Sequence, residues 1–358
     1  MPQPPPTDPT DTVAFDSFTG IKNTIDSTNL TARDLERAVN IDLDDAGKAH
    51  RRRGRTLVAS GAHHSLFTSN AGKLFGVKNQ TLGVIRPDYT FSPIMTAIGA
   101  QPPISQLAYV QVGDSIYFSS PDECGVISEG AETVSAWGPS ADIWLSPVLN
   151  PTAGLPAIAG KLVGAPPRAT ALAYWNGRIY LAQGSVMWAT ELYLYNVVDK
   201  TKNFFPFEAP ITMIGVVGDG LYVGTQEGCW FLSGSTLKEL KRTRVLDSAV
   251  IPGSMVYIPA EMANPPQVDL GSDQPLSLAI LFMTVNGYCA GQNSGQCFNL
   301  TESKVIFPNA VSASALYRTQ DGVHQYVAVL DSGGDPVSSA AIGDYVDTEI
   351  IRAADRQP

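Results

Sequence analysis

Hydrophobic and polar positions alternate along this chain in short runs that end at turns containing glycine or asparagine. The stretch ALAYWNGRIYLAQ, from Ala171 to Gln183, has two arms rich in aromatic and aliphatic residues around Asn176 and Gly177. Asn-Gly favours the two-residue turn of a β-hairpin, because both residues tolerate a positive φ. MIGVVGDGLYVGTQEGCWFLSG, from Met213 to Gly234, has three such arms separated by glycine-containing turns. The pattern therefore predicts consecutive antiparallel strands joined by tight turns.

The same short motif recurs along the chain: a turn, an aromatic residue and, two positions later, a small residue. Its aromatic positions, counting a weaker first copy, are Phe75, Tyr117, Tyr180, Tyr222, Tyr288 and Tyr326. The steps between them are 42, 63, 42, 66 and 38 residues. Three of these steps are near the period of a four-stranded propeller blade, and a Pro- and Gly-rich stretch lies within each longer one. We interpret the chain as all-β, a β-propeller of about six blades with these aromatics on equivalent strands; an irregular β-sandwich is the alternative.

The regions outside the repeats define the expected domain organisation. Residues 1–12 read as an arm, and residues 13–55 as an N-terminal segment with a short helix over Thr31–Val39 and a charged hairpin. Thr31 is a candidate N-cap, with Asp34 three residues later. Residues 56–358 form the propeller. We expect Val13–Phe18 or Tyr345–Arg352 to complete a blade made mostly by the other end of the chain, because an unpaired edge strand is a liability.

Composition and charge narrow the possible functions. The 358 residues have a formal net charge of −10, and 16% of them are charged, against roughly 25% in typical soluble proteins. A nucleic-acid clamp needs a basic face, so this balance argues against one. The N-terminus lacks the features of a signal peptide, and four cysteines without a CxxC pair suit a reducing cytoplasm. Whether Cys289 and Cys297 form a bridge is left open.

Sequence motifs for catalysis and for cofactor binding are largely missing. There is no P-loop, HExxH, GxSxG or paired CxxC motif. DLDDAG, from Asp42 to Gly47, begins like a calcium loop, but Arg53 occupies the position of the bidentate glutamate. His63 and His64 would point to opposite faces of a strand. We therefore predict no catalytic residues, no cofactor and no metal site, although distant paired carboxylates stay open.

The most unusual stretch is NIDLDDAGKAHRRRG, between Asn40 and Gly54, which is acidic before a glycine and basic after it. A three-residue loop with Gly47 in the left-handed position would pair acids with bases across the hairpin. The residues of this expected pairing are Asp42, Asp44, Gly47 and His50. The surplus cations, Lys48, Arg51, Arg52 and Arg53, would contact an adjacent subunit or another protein. A solvated edge hairpin is the alternative.

Three stretches resemble proteins of one family. GIKNTIDSTNLTARDLERAVNIDLDDAGKAHRRRG (Gly20–Gly54), FMTVNGYCAGQNSGQCFNLT (Phe282–Thr301) and IGDYVDTEIIRA (Ile342–Ala353) are similar to segments of tail nozzle and related structural proteins of short-tailed bacteriophages. The resemblance implies a virion tail protein that is assembled in the bacterial host cytoplasm. It also implies a ring of probably six copies below the portal and adaptor, which extends the DNA channel, supports tail fibres and is not an enzyme. The alternatives are a glycan-binding or glycan-cleaving propeller and a monomeric peptide-binding propeller adaptor.

Overall fold

A computed structural model of the chain describes most of the repeat region and much of the N-terminal segment. The described residues are 17–36, 38, 41–43, 47–51, 56–96, 106–145, 161–234, 236–259, 278–301, 304–320, 323–331 and 347–351. Among them, regular structure is almost entirely β-strand, with two 3-10 turns at Ser27–Asn29 and Asn293–Gly295. None of the described helices has the length and apolar character that crossing a membrane requires.

The N-terminal segment contains two small pairs of strands. The strands β1 (Gly20–Ile21) and β2 (Asp34–Leu35) pair in parallel. The strands β3 (Ile41–Leu43) and β4 (Ala49–Arg51) form an antiparallel hairpin.

Among the described residues, six antiparallel sheets form the repeat, and we number them sheet one to sheet six in chain order. Sheet one contains β5 (His63–Thr68), β6 (Leu74–Lys78), β7 (Thr81–Ile85) and β8 (Phe91–Met95). Sheet two contains β9 (Ala108–Val112), β10 (Ser115–Ser119), β11 (Cys124–Ser128) and β12 (Thr133–Ser135). A small side sheet of β13 (Ile143–Leu145), β14 (Lys161–Gly164) and β18 (Val198–Asp199) comes next. Sheet three contains β15 (Ala171–Trp175), β16 (Arg178–Gln183), β17 (Val186–Ala189) and β19 (Phe204–Pro206).

The last three sheets continue this order. Sheet four contains β20 (Ile211–Val217), β21 (Gly220–Thr225), β22 (Cys229–Ser233) and β23 (Lys241–Leu246). Sheet five contains β24 (Val256–Pro259), β25 (Leu278–Thr284), β26 (Gly287–Gly291) and β27 (Cys297–Asn299). Sheet six contains β28 (Ser312–Gln320), β29 (Val323–Asp331) and β30 (Asp347–Ile351).

Tight turns set the strand order within each sheet. Trp175 pairs with Arg178, so Asn176 and Gly177 form a two-residue loop, and both have positive φ, 46° and 72°. Such a turn matches the right-handed twist of the two strands it joins. The predicted Asn-Gly hairpin is confirmed.

In the described part of the chain, the core consists of five apolar clusters, and each joins two consecutive sheets. The cluster between sheets one and two includes Phe75 and Phe118, and the next one includes Tyr117 and Leu181. The remaining three clusters join sheets three and four, four and five, and five and six. Burying one large apolar side chain contributes about 1.5–3 kcal/mol, so these interfaces dominate the stability. Consecutive four-stranded sheets packed face to face confirm the predicted all-β propeller architecture.

Five of the six repeat aromatics lie on equivalent strands. Phe75, Tyr117, Tyr180, Tyr222 and Tyr326 each lie on the second strand of their sheets, and all five are buried. Tyr222 illustrates their role, since its hydroxyl reaches the adjacent sheet and donates to the carbonyl oxygens of Gln292 (2.6 Å) and Gln296 (2.8 Å).

The prediction for Tyr288 is wrong, because this residue lies on the third strand, β26. The hydroxyl of Thr284 donates to the Gly287 carbonyl after β25, and the hydroxyl of Thr225 donates to the Gly228 carbonyl after β21 in the same way. This correspondence identifies β25 as the second strand of sheet five. The Asn-Gly turn before Tyr288 therefore joins the second strand to the third.

The predicted helix over Thr31–Val39 is also wrong in its described part. Residues 34 and 35 form β2, because the Asp34 carboxylate accepts hydrogen bonds from the hydroxyls of Thr19 (2.6 Å) and Thr31 (2.8 Å). The Thr19 bond holds Asp34 beside β1, where the backbone pairs as a strand instead of continuing into a helix.

The C-terminal strand joins the sheet that precedes it in the chain. β30 pairs with β29, so the C-terminal stretch completes a sheet built by its own sequence neighbours and does not exchange with the other end of the chain. The expectation that at least one of the two candidate strands makes such an exchange therefore stays a prediction for Val13–Phe18. Residues 13–16 of the other candidate strand lie outside the described residues.

A charged network connects the edges of sheets one and two. The Glu132 carboxylate accepts from Lys73 Nζ at 2.8 Å and from Arg86 Nη1 at 3.0 Å. Lys73 also donates to the Glu129 carbonyl at 2.8 Å. The hydrogen bonds from Arg86 and then Lys73 lower the pKa of the Glu132 carboxyl to about 2. The charged form of Glu132 therefore stabilises this junction.

We expect the network to make stability depend on pH in the acid range. Because the folded-state pKa of Glu132 lies below its ordinary value of 4.5, its contribution is fully present above about pH 4.5. The contribution is lost as the pH falls towards about 2. Urea unfolding measures the free energy of unfolding at each pH. Between pH 7 and pH 2.5, this free energy should fall less for Glu132→Gln than for the unchanged protein. The exposed Asp122→Asn is the control, and equal pH profiles for Glu132→Gln and the unchanged protein would contradict the expectation.

Candidate functional site

The charged hairpin has the backbone arrangement that its sequence pattern predicts. Asp42 is paired with His50, Ile41 with Arg51 and Leu43 with Ala49. Gly47 has a φ of 74°, in the left-handed region. A Cβ atom on Gly47 would lie 2.7 Å from the Phe18 carbonyl oxygen, and the Phe18 N–H donates to the Gly47 carbonyl at 2.7 Å. The turn therefore requires glycine both for its conformation and for its close contact with the preceding segment.

The basic arm of the hairpin is exposed. Lys48, His50 and Arg51 are all exposed, although Lys48 and His50 also have interaction partners within the chain. Asp44, Arg52 and Arg53, together with the side chain of Asp42, lie outside the described part of the structure. The described residues thus place the beginning of the basic run at the protein surface, where a partner can reach it.

One asparagine attaches this N-terminal segment to the propeller. The Asn23 N–H donates to the Lys304 carbonyl at 2.9 Å. Its side chain donates to the Ile306 carbonyl at 2.9 Å and accepts from the Ile306 N–H at 2.8 Å. The amide side chain thus pairs with Ile306 as a neighbouring strand would. Asn23 belongs to the GIKN stretch, and its partners lie between sheets five and six.

Around Asn23, the segment is held together by the Asp34 carboxylate. Hydrogen bonds from Thr19 and Thr31 lower the pKa of Asp34. The Thr19 N–H also donates to the Arg33 carbonyl at 2.8 Å, next to the parallel pair of β1 and β2. These contacts connect the anchor to the turn at Phe18 and Gly47. The hairpin is therefore attached to a hydrogen-bonded segment.

A second basic surface, which the sequence pattern did not predict, lies on β23. Arg242 and Arg244 are exposed at the edge of sheet four, and their guanidinium carbons lie 5.0 Å and 5.5 Å from the Trp230 ring centroid. Arg244 pairs with Asp247 at 2.6 Å, and Arg242 with Glu208 at 3.5 Å. The sequence KRTR, from Lys241 to Arg244, is the pattern that could have indicated this surface. Its arginines cover the ring and protect an edge strand with charge.

The adjacent histidines His63 and His64 make separate local contacts. His63 Nδ1 lies 3.1 Å from the Gly61 carbonyl, and His64 Nδ1 lies 2.7 Å from Ser65 Oγ. Burial lowers the pKa of His64. Within the described ranges, no group of three or more His, Cys, Asp or Glu residues has an arrangement that could hold a metal ion.

The cysteines are free thiols, which answers the question left open for Cys289 and Cys297. Cys229 and Cys289 are buried in the apolar cluster between sheets four and five, and Cys297 packs against it. Burial raises the pKa of Cys289 to about 12 and that of Cys229 well above its ordinary value. These thiols are packed core groups with little thiolate character.

Comparisons with known proteins found solved structures that are similar at low sequence identity. No protein-family model and no curated protein matches the chain. BBS1N, solved in complex with ARL6DN, is 10% identical, with 80% of this chain and 78% of that chain covered and a TM-score of 0.44. The Neurospora crassa Pan2 WD40 domain is 9% identical, with 75% and 72% covered and a TM-score of 0.40. PorZ, a surface component of the type-IX secretion system of Porphyromonas gingivalis, is 9% identical at a TM-score of 0.43; the match covers 77% of this chain and only 32% of PorZ.

We expect Asn23→Ala to release the N-terminal segment while leaving the propeller folded. The substitution removes two hydrogen bonds to Ile306, each contributing about 0.5–1.5 kcal/mol. Limited trypsin digestion should then cleave at Arg33 and Lys48 several-fold faster, with an unchanged melting transition of the propeller. Asn29→Ala, in the same segment, should digest at the original rate. Equal cleavage rates for Asn23→Ala and the unchanged protein would show that Asn23 is not the anchor.

Proposed function

We propose that this chain is a structural protein of a bacteriophage tail, a nozzle subunit that forms a ring, probably of six copies, below the portal and adaptor. The ring extends the channel for DNA and supports the attachment of tail fibres. The chain acts without turnover of a small substrate. The proposal derives from the resemblance of the three sequence stretches to tail nozzle proteins.

The observation that carries the proposal is the exposed basic hairpin on an anchored support. Lys48 and Arg51 are at the surface, and the run continues in sequence with Arg52 and Arg53. A guanidinium group can bind a carboxylate with two hydrogen bonds and stays charged when it is partly desolvated. A chain with a net charge of −10 offers many carboxylates to a second copy. The hairpin is therefore suited to a contact between subunits or with the adaptor.

The same charge balance suits passage of DNA better than binding of DNA. An acidic channel wall repels phosphate groups, so DNA can slide past without displacing counterions. A cyclic head-to-tail arrangement produces a closed ring around such a channel, whereas a rotation that does not close produces a filament.

The test separates assembly from folding. In the variant Arg51→Gln/Arg52→Gln/Arg53→Gln, circular dichroism and thermal melting report folding. Negative-stain imaging and incorporation into virions report assembly. We expect a melting temperature within a few degrees of the unchanged protein, together with loss of rings or of attachment to the portal. Arg242→Gln/Arg244→Gln, on the other basic surface, is the matched control and should assemble normally.

Two results would contradict the proposal. If the triple variant assembles normally but is less stable, the hairpin arginines stabilise the fold of the subunit and do not contact a partner. Absence of the protein from purified virions, or its presence there as a monomer, would exclude the nozzle function itself.

A further inference from the structure

The outer edge of sheet four is open to a further strand. β23 is the last strand of this sheet, and β22 is its only neighbour in the described part of the chain. In an antiparallel sheet, an edge strand directs the N–H and C=O groups of every second residue away from its neighbour. The first four residues of β23 are all exposed. The outward backbone groups of this edge therefore face solvent and can pair with a partner strand.

β23 lacks two devices that limit strand pairing at most of the other outer edges. β12, β19 and β27 have only three residues each, and β8 contains Pro93. Short edge strands and edge prolines both prevent unwanted pairing. β23 has six residues and no proline. Its length is therefore sufficient for several hydrogen bonds to an added strand.

Basic side chains are concentrated along this edge. Four of the 24 Lys and Arg residues of the chain lie within seven positions, and all four are exposed: Lys238, Lys241, Arg242 and Arg244. Arg242 and Arg244 are two positions apart, so they lie on the same face of the strand. The charge of the edge therefore favours an acidic partner strand and disfavours a basic one.

Hydrogen bonds and stacking hold the two arginines in place. Arg242 donates to the Pro206 carbonyl at 3.2 Å, and Arg244 donates to the Glu227 carbonyl at 3.1 Å. Both guanidinium groups lie over the Trp230 ring. Because the arginines are already positioned, they lose little further freedom when a carboxylate binds them.

The carboxylates that face these arginines are exposed and can be replaced. Glu208 lies 3.5 Å from Arg242, and its side chain is 63% exposed. Asp247 lies 2.6 Å from Arg244, and its side chain is 84% exposed. Such pairs contribute little, because water and salt screen them. A carboxylate on a strand that also binds the backbone of β23 can therefore take the place of either one.

We propose that β23 binds an extended acidic segment of a partner protein as a fifth strand of sheet four. Backbone hydrogen bonds along the edge supply affinity, and Arg242 and Arg244 select carboxylates at alternate positions of the segment. The inference goes beyond the proposed function and does not depend on it. The ring contact proposed above lies on the charged hairpin, so either proposal can fail without the other.

A second copy of this chain fits the edge less well than a separate acidic segment does. The outer strands β8, β12, β19 and β27 contain no Asp or Glu, whereas β30, with the sequence DTEII, contains two. The pairing of β23 with β22 shifts register between Cys229 and Trp230, an irregularity that bends the edge. An extended segment can adapt to such an edge, whereas two folded edges must already match.

Fluorescence anisotropy with a synthetic peptide tests the proposal on the full-length chain. The probe is fluorescein-labelled Gly-Gly-Thr-Glu-Val-Glu-Val-Thr, whose glutamates are two positions apart. We expect saturable binding that weakens as salt is added. Arg242→Gln/Arg244→Gln should bind the peptide about tenfold more weakly, and thermal melting checks that this variant is folded. Arg168→Gln/Lys202→Gln removes the same charge from exposed positions elsewhere and should bind normally. Equal affinity of Arg242→Gln/Arg244→Gln and the unchanged protein would overturn the proposal.

Methylated peptides separate strand addition from simple attraction between charges, and they are tested on the unchanged protein. An N-methyl group removes one backbone donor, and adjacent residues of an added strand direct their donors to opposite sides. Two peptides of equal charge are methylated on neighbouring glutamate and valine nitrogens. We expect one to bind about tenfold more weakly and the other to bind like the parent peptide. Similar affinities of the two methylated peptides, whether strong or weak, would overturn the proposal.

Hydrogen exchange locates the bound peptide. At saturating peptide, the amides of β23 should exchange several-fold more slowly, while those of the outer strand β12 in sheet two keep their rates. Unchanged exchange in β23 would overturn the proposal.

Two further results would assign the edge to a different occupant and overturn the proposal. Displacement of the peptide by oligothymidylate, at the same concentration of negative charge, would make the edge a general polyanion surface. Association of the chain with itself that Arg242→Gln/Arg244→Gln abolishes would assign the edge to a second copy.

Discussion

The fold depends on one constraint: the sheets of the repeat have apolar faces, and a neighbouring sheet covers them at each of the five described interfaces. The strands are short, and the second strands of sheets three and four, β16 and β21, are almost wholly buried. In the described part of the chain, each of sheets two to five supplies half of two apolar interfaces, and sheets one and six each supply half of one. Because a single sheet would expose its apolar faces to water, each repeat depends on contact with its neighbours for stability. The aromatic residues of the second strands fill these interfaces. Glycines within the strands allow neighbouring sheets to approach closely, as at Gly215 beside Met255 and Ile280.

Local chemistry was sufficient to predict the turns and the architecture. The Asn176-Gly177 loop and the left-handed Gly47 follow from the conformations that these residue types tolerate. The placement of Tyr288 did not follow in the same way. A glycine turn followed by an aromatic occurs between first and second strands and also between second and third strands. Only the hydrogen-bonded order of sheet five separates the two cases, and that order depends on β24, which is far away in sequence.

Long-range partners explain the other differences between sequence and structure. Asp34 belongs to a plausible helix start, yet its carboxylate binds Thr19, and the backbone follows that contact. Asn23 was included in the sequence analysis only as part of the stretch that resembles nozzle proteins. Its contact could not be predicted, because its partner Ile306 is 283 positions away. The stack of Arg242 and Arg244 on Trp230 likewise requires β22 and β23 to be adjacent. The charged hairpin could be found because both of its arms lie within one short stretch.

The thiols between sheets four and five give the molecule a built-in reporter. Cys229 and Cys289 lie inside an interface, and their raised pKa values leave almost no reactive thiolate at neutral pH. A maleimide or an oxidant can therefore reach them only when the two sheets separate. The rate at which these sulfur atoms are labelled then measures how often that one interface opens, in the isolated subunit and in any assembly that it joins. No additional cysteine has to be introduced for this measurement.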